Sequence, residues 1–111
     1  MNNEGGICKN SNVEVQKNNG EVVMHIIGNF DSSTTHLIHN CCKKIQKHKD
    51  VKRIVLNFNR AGRVDTSAFA CVINFIKEHI GSGVEIFVTH LHDPEENLIH
   101  ILKVEKLIKV L

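Results

Sequence analysis

The chain has no tryptophan and no tyrosine, and its aromatic content is five phenylalanines among 111 residues. Stacking platforms for bases are scarce, so nucleic acid is not an expected partner. Long apolar runs are also missing. Nothing approaches the roughly 20 residues that a membrane-spanning helix needs, so membrane insertion is not expected. The start, Met1-Asn2-Asn3-Glu4-Gly5-Gly6, lacks the charged and apolar regions of a signal peptide, and a cytoplasmic location is the expectation. No CxxC pair occurs among Cys8, Cys41, Cys42 and Cys71, which read as free thiols in a reducing compartment. Neither common Gly-rich phosphate loop is present, because Ala61-Gly62 stands alone, and there is no HExxH motif. Neither sign of charge dominates, the formal net charge being +2.

What is present describes one domain with a real core. Residues 1–11 are polar and Gly-rich and read as a flexible tail, leaving 12–111 as the domain. Val13 and Val15, then Val22, Met24 and Ile26, alternate around Asn18-Asn19-Gly20, which predicts a hairpin. After Gly28-Asn29-Phe30-Asp31 the spacing of Leu37, Ile38, Cys41, Cys42 and Ile45 predicts a helix over about Ser32 to Lys47. Arg53 to Phe58 reads as a strand buried on both faces. Phe69, Val72, Ile73, Ile76 and Ile80 make the apolar stripe of a second helix, which Gly81-Ser82-Gly83 ends. Val84 to Val88 is a further strand. Asp93-Pro94-Glu95-Glu96 opens a third helix, and Leu107 to Leu111 is a last strand or helical turn. The alternation predicts an α/β fold with a mostly parallel sheet, an N-terminal hairpin and helices packed against it.

The segment richest in chemistry is Val64-Asp65-Thr66-Ser67-Ala68-Phe69-Ala70, where a strand hands over to a helix N-terminus. Free N–H groups and the positive end of the helix dipole favour added negative charge there. A phosphate on Thr66 or Ser67 would change the local charge by nearly two units. Asp, Ser and Thr are also ordinary helix caps. Asp31 and Asp65 both follow strands and should lie at the carboxyl end of the sheet, where α/β folds place ligands and partners.

Eight histidines raise the question of a metal. His36 and His39 are three residues apart with Cys42 a turn further, and His90 and His92 alternate. No four ligands have zinc-site spacing, so no metal and no cofactor is expected. Cys71 has no fixed histidine partner, so nucleophilic catalysis is unsupported and no catalytic residue is assigned. Lys43, Lys44, Lys47, Lys49, Lys52 and Arg53 bunch together and read as the solvated face of a helix and its following loop.

This order of elements, with Gly28-Asn29-Phe30-Asp31, Val55-Leu56-Asn57 and Asp65-Thr66-Ser67-Ala68-Phe69-Ala70, resembles the STAS domain of bacterial anti-sigma factor antagonists over about Val13 to Leu111. The resemblance implies a non-enzymatic regulator that binds an anti-sigma factor which is also a GHKL-type serine/threonine kinase. It implies phosphorylation of the hydroxyl after the motif Asp, which is Thr66, with Ser67 the second choice. Asp31, Arg63, Asp65, Thr66, Ser67, Ala68, Phe69 and Ala70 would form the partner surface. A non-phosphorylated docking subunit of a transporter or signalling scaffold is the alternative, and a homodimer is left open. Against the family pattern, Ala68 and Ala70 replace glycines, Asn57 and Asn29 replace acids, and Arg63 replaces an apolar residue. The site is thereby more basic than the family norm.

Overall fold

Apolar residues at every second position give four successive segments one apolar face each, and burying those faces together aligns them in a sheet. The computed structural model describes residues 6–81, 83–92, 98 and 108–110. Its elements are β1 (Gly6–Lys9), β2 (Val13–Asn18), β3 (Glu21–Phe30), α1 (Thr35–Ile45), β4 (Arg53–Val64), α2 (Thr66–His79), β5 (Glu85–Thr89) and β6 (Ile108–Val110). The strands lie side by side in chain order. The β1–β2 and β2–β3 pairings are antiparallel and the three that follow are parallel, so the α/β class and the mostly parallel sheet agree with the sequence reading. The hairpin closes at Asn18↔Glu21, with Asn19 at φ 57° in the turn.

The core lies between one sheet face and the two helices. Register rows such as Val15–Met24–Leu56–Val88 and Val22–Ile54–Ile86 face Ile38, Cys41, Cys42 and Ile45 of α1 and Phe69, Val72, Ile73 and Ile76 of α2. Leu98, the one described residue of the third expected helix, is helical and fully buried, and the rest of that helix lies outside the described residues.

Three expectations change. The segment read as a tail contributes β1, whose residues Gly6 to Lys9 pair with β2. Its Cys8 is bonded to Cys41 of α1, so two of the four thiols are not free. The Cα–Cα distance of 5.7 Å suits such a bond. No local pattern marks a pairing between cysteines 33 residues apart, which depends on how β1 is seated against α1. Last, β4 is buried on one face only, with Ile54, Leu56 and Phe58 inside and Val55 and Asn57 half-exposed. On the open face Arg53 reaches Glu21 (3.5 Å) and Glu85 (3.6 Å) and lies 4.9 Å over the Phe87 ring. Charges thus cover the row Val23–Val55–Phe87 where a second helical layer would otherwise be needed. No helix among the described residues is long and apolar enough to cross a membrane.

Candidate functional site

The site stands where β3 and β4 leave the sheet together. β4 runs on past Phe58 to Val64, beside β3, because two register shifts insert extra residues opposite β3. Phe30 and Val64 end as Cα partners, so Asp31 and Asp65 emerge side by side, and the Asp65 N–H donates to the Phe30 carbonyl at 2.8 Å. Asn29, Asp31, Arg63 and Asp65 line a cleft of about 240 Å³.

Each wall has a local cause. The Asp31 carboxylate accepts from the Ser33 N–H (3.0 Å) and from the Ser33 hydroxyl, closing a turn ahead of α1. It therefore does not cap α1, whose N-cap is Thr34 without a side-chain cap bond. The Ser33 hydroxyl most of all, with the Ser33 and Thr34 backbone and the Arg63 charge, holds its carboxyl below the ordinary carboxylate range, and burial opposes them. Arg63 is presented by the second bulge, where its N–H donates to Asn29 Oδ1 at 2.9 Å. That approach needs the glycine beside it, because a Cβ on Gly62 would sit 2.6 Å from Asn29 Oδ1. Asn29 and Gly62 are thus positioning residues that the sequence reading missed. The isolated Ala61-Gly62 was the available signal, since a Gly within a strand marks a bulge or close approach.

Asp65, extended at φ −83° and ψ 130°, is the N-cap of α2, its carboxylate accepting from the Ser67 N–H at 2.7 Å. Asp65→Ala should therefore lower stability by about 1 kcal/mol in urea unfolding. An unchanged midpoint would mean that water serves the first turn equally well.

The expected surface residues divide. Ser67 and Arg63 are exposed, while Asp31, Asp65, Thr66 and Ala70 are partly so. Ala68 and Phe69 are in the core, 2 % and 0 % exposed, so they support the surface from beneath and present nothing to a partner. The apolar stripe of α2 begins at Ala68, one residue before the Phe69 at which the helical spacing started it. The Thr66 Oγ1 atom is itself buried and has no hydrogen-bond partner among the described residues. No group of three or more His, Cys, Asp or Glu among the described residues could hold a metal ion. His36 is exposed, and His39 instead meets His79 of α2.

Residues 12–111 match the STAS domain. No curated protein matches the sequence. Among solved structures, the unphosphorylated form of the anti-sigma factor antagonist SpoIIAA superimposes with a TM-score of 0.66 at 15% identity, covering 89% of this chain and 86% of that one. The phosphorylated form of SpoIIAA, a Bacillus cell fate determinant, gives 0.63 at 16% identity, covering 89% and 90%. A Thermotoga maritima protein proposed to be an anti-sigma factor antagonist gives 0.66 at 13% identity, covering 86% and 82%. At these identities the likeness is one of fold.

Proposed function

From the premise that this chain belongs to the STAS domain family, we propose that it is a regulatory binding protein of the anti-sigma factor antagonist kind. Its partner is an anti-sigma factor that is also a GHKL-type kinase, and a phosphate at the start of α2 switches the pair apart. The protein itself catalyses nothing. The observation that carries this reading is the construction of the α2 N-terminus. Asp65 caps the helix, and Thr66 and Ser67 stand in its first turn, next to a cleft holding two carboxylates and Arg63. The positive end of the α2 dipole and the Arg63 guanidinium offset the charge of a phosphate within the chain. The same charge repels a partner docked on an apolar or acidic surface. The readout is partner exchange, as in other phosphorylation switches.

Motif position favours Thr66 as acceptor. Its hydroxyl is buried and unpaired, so transfer requires the first turn of α2 to open or the side chain to rotate. Ser67 is exposed without such a step and is the second choice. Since Asp65 rather than Thr66 does the capping, the isosteric Thr66→Val removes an orphaned buried hydroxyl. Stability should stay level or rise by up to about 1 kcal/mol.

Intact-mass analysis and peptide mapping across Arg63 to Lys77, on protein from its native cells, test the proposal together with that variant. One phosphate on wild type and none on Thr66→Val supports the switch at Thr66. A phosphate that persists in the variant moves it to Ser67. An unmodified peptide through growth, starvation and stationary phase favours the constitutive docking subunit, for which the buried Thr66 hydroxyl is no obstacle.

A further inference from the structure

A second constellation lies at the other end of α2 and takes no part in the switch. His39 of α1 and His79, the last residue of α2, approach Nε2 to Nε2 at 2.8 Å. Each ring is also held on another side. His39 stacks on Phe75 with centroids 4.2 Å apart and planes at 21°, and His79 Nδ1 is 3.0 Å from Gln46 Oε1 just past α1.

The hydrogen count follows from the geometry. At 2.8 Å the two nitrogens share one hydrogen, one ring donating and the other accepting. The Gln46 oxygen requires a hydrogen on His79 Nδ1, so a neutral His79 accepts from His39 through Nε2. One added proton can be accommodated, because the remaining neutral ring still accepts. A second cannot, since both Nε2 atoms would then carry hydrogens that face each other between two cations. We propose that the His39–His79 pair is a proton-operated latch, which joins α1 to α2 while at most one ring is charged and releases when both are.

The surroundings set the direction. Burial, then Lys43 of α1, then His79 of α2 hold the His39 imidazole below the ordinary histidine value of 6.5, and Glu78 of α2 acts the other way. On the His79 side, Lys43, Lys47 and Lys49 line the adjoining groove with Gln46. For His39, burial and its two cationic neighbours outweigh Glu78. A histidine depressed in the folded state means that the unfolded chain binds more protons. Stability is complete above pH 6.5 and declines as pH falls through the folded value. Release would free the last turn of α2 and uncover the Phe75 ring, about 14 Å along the helix from Thr66 at about 1.5 Å rise per residue.

The test is a long-range ¹⁵N imidazole titration of the full chain from about pH 8 to about pH 5, with amide exchange across residues 76–79. At neutral pH one Nε2 should carry a hydrogen and the other none. Uptake of the second proton should coincide with lost protection in the last turn of α2. In His79→Gln the His39 midpoint should move up and the step in protection vanish. Two rings that titrate independently in wild type, or helix protection unchanged when both are charged, overturn the latch. The tautomer measurement on wild type decides even if the variant folds poorly.

Discussion

Phe69→Ala is expected to destabilise the protein by about 3 to 5 kcal/mol, the largest effect of any substitution at the candidate site. Phe69 has no exposed surface and sits 6.1 Å from the Phe58 ring, which in turn is 5.9 Å from Phe30. These three rings join the end of β3, the middle of β4 and the first turn of α2 under the Asp31–Asp65 cleft. Truncation leaves a void below the elements that carry the switch, with little opportunity to collapse because strands flank it on two sides. Phe69→Leu keeps most of the volume and should lose less than about 1.5 kcal/mol. Urea unfolding of the two variants, with the partner-binding surface otherwise intact, checks the assignment. A loss below about 1 kcal/mol for the alanine variant would return Phe69 to the exposed partner surface where motif comparison put it.

Opening the Cys8–Cys41 bond is the second large perturbation. The bond ties β1 to α1 across a sequence separation of 33, and loop-closure entropy then places its contribution at roughly 3 to 4 kcal/mol. Thermal melts with and without reductant, and of Cys8→Ser, should show the difference, with amide protection lost first in β1. Cys42 does not compete for Cys8 by exchange, because burial pushes its thiol up to about 12 and leaves almost no thiolate. Identical melts, with Cys8 and Cys41 alkylating freely in the oxidised sample, would show that the bond does not form. The expectation of free thiols had a sound basis in sequence, since vicinal Cys41 and Cys42 and the absence of CxxC gave no pairing cue. The pairing depends on distance in space, which the spacing of residues does not contain.

The two perturbations act on different parts of the fold. Loss of the Phe69 ring weakens α2 where it meets the sheet, whereas reduction frees an edge strand. Their effects on stability should therefore add within about 0.5 kcal/mol.

Local chemistry makes much of this protein legible in its sequence. Alternating valines and isoleucines define strands, the 3.6-residue stripes define α1 and α2, and Asn19-Gly20 can close a hairpin in isolation. Asp65 as a helix start is equally local, because a carboxylate two residues before a free N–H is within reach whatever surrounds it. What the sequence left undetermined is which side chains and backbone groups meet where two segments pack together. β4 continues to Val64 only because β3 is beside it to accept the bulges, and Arg63 enters the cleft only because Asn29 and Gly62 approach across that pairing. The Glu21–Arg53–Glu85 cover on the open face, the Cys8–Cys41 bond and the His39–His79 contact likewise join residues far apart in the chain. Periodicity states which side of an element is apolar. Which atoms face each other across two elements is decided by register and packing angle, and those are properties of the folded whole.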